Sequence, residues 1–270
     1  MTRPMPLVFF GHGSPMIALE TNETSQAWSE IAAGIPTPRA ILAISAHWET
    51  PVTAVTAMAQ PRTIHDFGAS FPKALFDMQY PAPGDPALAR RVADLLQPTQ
   101  VVLDQAQWGL DHGTWSVLVK AFPRADTPVV QLSLDVTLTP AQRFDIGRRL
   151  SPLRDEGVLI MGTGNIVHNL SAMNFGDRDC APYDWSSRFL GEMRDAILKD
   201  EPQRVIDFAG LGDDAHRAAP TPEHFWPLLY VLGARRADDR VRLVNDHIEH
   251  GSLGMTSLVF DTAAAERAAA

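Results

Sequence analysis

Three separate stretches of this chain run apolar and then stop at small residues and a histidine. Leu7-Val8-Phe9-Phe10 ends in Gly11-His12-Gly13, and Ala40-Ile41-Leu42-Ala43-Ile44 ends in Ser45-Ala46-His47. Val158-Leu159-Ile160-Met161 runs through Gly162-Thr163-Gly164-Asn165 toward His168. Short continuous apolar runs bounded by turn signals read as strands buried on both faces, and such strands belong to sheets covered by helices. The expected class is α/β: a single domain with a central mixed or mostly parallel sheet flanked by helices. In sheets of this kind ligands collect beyond the carboxyl ends of the strands. Histidines delivered there by different strands can meet, and that convergence at the strand C-terminal ends is the central expectation; beside small residues a metal could approach the rings, the alternative being turn histidines with no ligand.

The connecting segments agree with that class. Ser25 to Ala33 has helical spacing, with Trp28 and Ile31 on one side and Gly34-Ile35-Pro36 as the stop. Asp85-Pro86 places a capping carboxylate before a first-turn proline and opens a helix to about Leu96; Thr139-Pro140-Ala141-Gln142 is a capping box that starts another. Leu110-Asp111-His112-Gly113 reads as a turn carrying a histidine ahead of a helix to about Ala121. Tyr183 to Leu198 and Pro202 to Ala209 read as helices, and Pro222-Glu223-His224 as the start of one reaching Leu232. Val241 to Val244 and Met255 to Phe260 close the chain as strands. One domain is expected over 1–262, with an Ala-rich tail at 263–270 that frays.

Between Gln60 and Pro86 five prolines interrupt any regular element. An irregular stretch this long inside a domain is usually functional, so it is expected to wall the site. It carries Thr63-Ile64-His65-Asp66-Phe67-Gly68, with His65 as a loop candidate.

Composition excludes several partners. With 23 basic against 32 acidic residues the formal charge is −9, and no Lys/Arg cluster offers a surface for nucleic acid or anionic membrane. The single cysteine, Cys180, forbids an intrachain disulfide and suits a reducing, cytoplasmic setting. There is no 18-residue apolar span. Other chemistries lack their motifs. Met16 stands where the last glycine of a nucleophile elbow around Ser14 belongs, and H-E-x-x-H is missing. Gly162-Thr163-Gly164 has neither the GxGxxG spacing nor the lysine of a phosphate loop. His216, His247 and His250 read as surface or structural residues.

Six blocks, in order along almost the whole chain, resemble one family. They are Phe-Phe-Gly-His-Gly-Ser-Pro at 9–15, Ser-Ala-His-Trp-Glu at 45–49, Tyr-Pro-Ala-Pro-Gly-Asp-Pro at 80–86, Leu-Asp-His-Gly-Thr-Trp at 110–115, Gly-Asn-Ile-Val-His-Asn-Leu at 164–170 and Pro-Thr-Pro-Glu-His-Phe at 220–225. The chain resembles the 4,5-DOPA extradiol dioxygenases, which are class III extradiol ring-cleaving enzymes related to the catalytic subunit of protocatechuate 4,5-dioxygenase.

The resemblance implies a non-haem metal, natively Fe(II), bound by His12, His47 and His224, with Glu223 as the fallback for the last. It implies His168 as an acid/base or coordinating histidine and His112 as a residue of the substrate or oxygen pocket. His65 and Asp111 become candidates to touch substrate. The partners implied are a catechol and dioxygen, and the product a muconic semialdehyde; Zn(II) is expected to compete for the site during purification. Arg62 is a candidate partner for a substrate carboxylate. The chain departs from many members at Ala219, where they carry a histidine. Two alternatives stay open: a zinc-dependent hydrolase on the same scaffold, and a non-catalytic metal- or ligand-binding relative.

Overall fold

Residues 7–11 form β1, and their side chains alternate between two different interiors. Leu7 and Phe9 belong to one core cluster while Val8 and Phe10 belong to another, all at most 1% exposed. A strand covered on both faces has no polar side to show, which is why its sequence is uniformly apolar rather than alternating. The structure, a computed structural model, describes residues 3–262; the tail expected to fray at 263–270 lies outside the described residues.

After β1 (Leu7–Gly11) the order is α1 (Glu23–Ala33), β2 (Ala40–Thr50), β3 (Ala54–Thr56), α2 (Lys73–Phe76), α3 (Pro86–Leu95) and β4 (Val102–Asp104). There follow α4 (His112–Ala121), β5 (Val129–Asp135), α5 (Pro140–Leu150), β6 (Val158–Gly164), α6 (Asp184–Leu198), α7 (Pro202–Ile206) and α8 (Asp213–Ala218). The chain ends with α9 (Trp226–Gly233), β7 (Asp239–Val244), β8 (Ile248–Glu249), β9 (Leu253–Gly254) and β10 (Ser257–Thr262).

The main sheet has the order β4-β3-β5-β2-β6-β1-β10-β7, and β8 and β9 pair as a separate hairpin. At its centre β5, β2, β6 and β1 run parallel, with Gly11 opposite Gly164 and Ser45 opposite Thr163. The carboxyl ends of β1, β2 and β6 therefore finish side by side. The mixed character lies at the flanks, where β10 runs antiparallel to both β1 and β7, and β3 antiparallel to β5. Trp28 and Ile31 of α1 and Trp115, Val117 and Leu118 of α4 cover one face. The other face packs on α3, α5, α6 and α9, through residues such as Leu88, Ile146, Phe189 and Leu228. No helix among the described residues is long and apolar enough to cross a membrane.

Local chemistry explains the helix starts. Asn22 and Thr139 each form a full capping box, and Asp85 accepts from the backbone N–H groups of Ala87 and Leu88. The helix expected from Pro222 begins only at Trp226. The backbone N–H groups of Phe225 and Trp226 both bond to Pro222 O, which closes a turn first, so His224 sits in that turn and not on a helix. His112, expected in a turn, opens α4, with Asp111 as its N-cap.

Candidate metal centre

His12 is the first residue past β1, and its backbone N–H continues the ladder onto Gly164 O at 3.1 Å. Its peptide oxygen accepts from Asn165 Nδ2 at 2.6 Å, and Asn165 also bonds Gly254 O, tying three segments at the strand ends. His47 sits where the pairing of β2 with β5 shifts register between Ile44 and Glu49, an irregularity of the sort that re-aims a side chain at a sheet rim. His224 is delivered by the turn after α8, held by the bond from Asn165 N–H to its carbonyl at 2.8 Å. A Cβ on Gly164 would lie 2.1 Å from that carbonyl oxygen, so only glycine lets the turn come this close to β6.

The three imidazoles meet. Nitrogens of His12, His47 and His224 all lie within 4.8 Å of one another, and His12 Nε2 stands 3.2 Å from His47 Nε2. The hydrogen-bond pattern determines which nitrogen of two of these rings carries the proton. Thr163 Oγ1 donates its one proton to Gly113 O at 2.8 Å, so toward His12 Nδ1, 2.9 Å away, it acts as acceptor. His12 is then protonated at Nδ1 and exposes a lone pair at Nε2. His224 donates from Nδ1 to Glu223 Oε1 at 3.0 Å, which again frees Nε2. Donors about 2.0–2.1 Å from a tetrahedral ion lie about 3.3 Å apart, so the 3.2 Å approach of the two Nε2 atoms fits a shared cation. Second bonds from the far ring nitrogen to a hydroxyl or carboxylate are what metal-binding histidines ordinarily have.

Electrostatics keep these rings neutral. Burial, helped by the neighbouring imidazoles, holds His12 and His224 well below the ordinary histidine range. Burial and then His112 push His47 down to about 3, and burial lowers His168 to about 4 against the opposing pull of Glu223. Neutral imidazoles are the form that ligates metal.

The cavity above them measures about 350 Å³, a size that admits a single-ring ligand. His12, His47, His112, His168 and His224 line it together with Phe67, Phe71, Leu170, Met173, Phe175 and Leu253. His168 stacks on His224 with ring centres 3.4 Å apart and planes 7° from parallel. The proline-rich stretch does wall the site, through Asp66, Phe67 and Phe71.

Asp111, His65 and Arg62, the candidates for contact with substrate, do not line this cavity. Asp111 is fully buried behind the cavity, where it accepts from Thr114 N–H at 3.0 Å and bonds Gln131 Nε2; burial and then the nearby Asp66 raise it to about 6. Its carboxylate serves as the cap of α4. His65 bonds Met78 O at 2.9 Å and packs on Phe67 and Trp115, bracing the wall from outside the cavity. Arg62 Nη2 donates to Gln107 O at 2.6 Å, and Arg62 does not line the cavity. Ala219 is half-buried against the main core and does not line the cavity.

Asp66 is the residue that sequence reasoning missed. Its Oδ1 accepts from His112 N–H at 2.8 Å, and its Oδ2 lies 3.0 Å from His112 Nδ1 and 3.6 Å from His47 Nδ1. Burial alone would raise this carboxyl, but the contact with His112 outweighs it and the net direction is down. Ligand atoms of His47, Asp66 and His112 also lie within 4.8 Å of one another, as do those of His168, Glu223 and His224. The sequence places a carboxylate beside His65 in this loop without showing which of the two faces the cavity.

Residues 7–261 match the family profile described as the catalytic LigB subunit of aromatic ring-opening dioxygenase. A 4,5-DOPA dioxygenase extradiol from Escherichia coli K12 is 45% identical over 256 residues, covering 94% of each chain. One of the same name from Beta vulgaris is 34% identical, covering 93% of this chain and 95% of its own. The crystal structure of an uncharacterized Escherichia coli K12 protein superposes with a TM-score of 0.82 at 41% identity, over 94% of this chain and 99% of that one.

Proposed function

The chain belongs to the family of catalytic LigB subunits of aromatic ring-opening dioxygenases, and from that membership we propose that it is an Fe(II)-dependent extradiol dioxygenase that opens a DOPA-like catechol to a muconic semialdehyde. The observation that carries this reading is the approach of His12 Nε2 and His47 Nε2 to 3.2 Å, on the floor of a cavity walled by aromatic and apolar side chains. The substrate class is supported by the two relatives named for DOPA cleavage.

In this account His12, His47 and His224 hold the ion, and Thr163 and Glu223 fix the first and last in the ligating tautomer. Ferrous iron, when bound, supplies the electronic route by which triplet dioxygen reacts with a singlet catechol. The other steps belong to the protein. Phe67, Phe71, Leu170 and Phe175 sandwich the ring and exclude bulk water. His168 meets the substrate as a neutral imidazole, accepts a catechol hydroxyl proton, and returns it as the ring opens; the Glu223 carboxylate stabilises the imidazolium in between. His112, anchored by Asp66, hydrogen-bonds the oxygen partner across the cavity. Overall one ring C–C bond beside the diol breaks. Both oxygen atoms enter the product, one in the aldehyde and one in the new carboxylate.

Three imidazoles also suit zinc, which binds more tightly than ferrous iron in the general order and has no redox chemistry, so zinc-filled protein is inactive. The test is anaerobic reconstitution with Fe(II), followed by a panel of catechols in oxygenated buffer. One dioxygen consumed per catechol, with a visible-absorbing semialdehyde, is expected. No oxygen uptake with any catechol contradicts the reading.

A further inference from the structure

The histidine-lined cavity adjoins a second hollow, also largely apolar but edged by charged side chains. This hollow, about 270 Å³, shares Gly13, Ser14, Met173 and Leu253 with the first and adds Glu20, Arg178 and Glu249 to its walls. Arg178 Nη2 donates to Glu249 Oε1 at 2.6 Å. Glu249 is 7% exposed and also faces His247 Nε2 at 3.3 Å, so the carboxylate that holds the guanidinium is itself fixed. The Arg178 side chain stays 38% exposed, and a guanidinium carries five N–H donors, so the bond from Nη2 to Glu249 leaves it capacity for a second carboxylate. Glu20 is exposed, and its carboxylate accepts from Asn22 Nδ2 at 3.4 Å, a long contact on a surface side chain.

A catechol seated over the histidines with an amino-acid side arm has a problem in the first cavity. The apolar wall of Phe67, Phe71, Leu170, Met173 and Phe175 offers nothing to an ammonium or a carboxylate, the Asp66 carboxylate in the same lining is already engaged by His112, and an unpaired charge among apolar groups is strongly disfavoured. The adjoining hollow offers both signs, with an anchored guanidinium for a carboxylate and a surface carboxylate for an ammonium.

We propose that this hollow is the subsite for the zwitterionic α-amino-acid tail of the substrate, with Arg178 taking its carboxylate and Glu20 its ammonium group. The proposal rests on the reading of the first cavity as the catechol site. It identifies what lets the enzyme tell an amino-acid catechol from a simple one.

The test uses the Fe(II)-loaded enzyme and its Arg178→Gln and Glu20→Gln variants with L-DOPA, dopamine, 3-(3,4-dihydroxyphenyl)propionate and 4-methylcatechol. Arg178→Gln is expected to lower kcat/KM for L-DOPA at least tenfold more than for dopamine, which lacks the carboxylate. Glu20→Gln, a surface change with no folding risk, is expected to lower it at least fivefold more for L-DOPA than for the propionate, which lacks the amine. Equal losses across all four compounds overturn the subsite. Calorimetric binding of L-tyrosine, which has the tail but no catechol, separates the two claims. Weaker binding to Arg178→Gln without turnover of any catechol keeps the subsite and refutes the dioxygenase reading. Catechol turnover with equal tyrosine binding by both proteins refutes the subsite alone.

Discussion

Thr163 has a single hydroxyl proton, and because that proton goes to Gly113 O, His12 must present its own proton at Nδ1 and its lone pair at Nε2. A residue outside the cavity lining thus sets the tautomer of a proposed ligand. His168 differs, since its stacking on His224 puts it beside the donor set without membership of the His12, His47 and His224 group. His168→Ala is therefore expected to keep its metal, measured by elemental analysis, while kcat falls about 10²- to 10⁴-fold. His12→Ala and His47→Ala are expected to lose the metal itself. Full metal occupancy in both would refute their assignment. His12, His47 and His168 could be singled out because each follows an apolar strand run, and His112 because it lies in a turn, whereas His224 reads as opening a helix and enters the ligand set only through the family resemblance. The Asp66 carboxylate could not be singled out, because its work depends on His112, 46 residues away. In an extended segment neighbouring side chains point to opposite sides, so one member of the pair His65 and Asp66 faces the cavity and the other faces away. Nothing local says which.

Elements reach the site through backbone contacts that leave no room for a side chain. Gly164 ends β6 under the carbonyl of His224, and Gly113 in α4 sits where a Cβ would lie 2.6 Å from the His47 ring. Gly164→Ala is expected to push the His224 turn outward, destabilising the fold by about 1–3 kcal/mol in chemical denaturation and loosening the metal. Gly191→Ala serves as the control. It lies inside α6, where an added methyl would meet nothing within 4 Å, so it is expected to stabilise by about 0.5–1 kcal/mol and leave metal content alone. If Gly164→Ala bound metal as tightly as Gly191→Ala, the close approach would not be what places His224. The helix starts at Pro86 and Pro140 could be read from sequence because a cap is chemistry between residues two or three apart. The start at Trp226 could not, since Pro222 to Phe225 form a turn whose position is fixed by Asn165 and Gly164, far away in the chain.

At the scale of the molecule, the sheet brings His12, His47 and His224 to one rim although they are as much as 212 positions apart, from 12 to 224. His224 arrives separately, on the turn after α8 whose carbonyl accepts from Asn165 N–H; for His12 and His47 the meeting follows from the parallel pairing of β1, β6 and β2, because strands running the same way end together and the loops that follow them share one crevice. That much was legible, because strands covered on both faces announce themselves as unbroken apolar runs. The antiparallel flank of β10 and β7 adds nothing to the site directly, yet the buried pair of Arg154 with Asp239 fastens β7 to the segment leading into β6. The central claim is that these three imidazoles share one cation. Crystals grown with Fe(II) or Zn(II) and measured at the metal's absorption edge test it most directly. A single anomalous peak within about 2.0–2.3 Å of the Nε2 atoms of His12, His47 and His224 is the predicted result. A peak bound elsewhere, or one that any of these three histidines fails to reach, would contradict it.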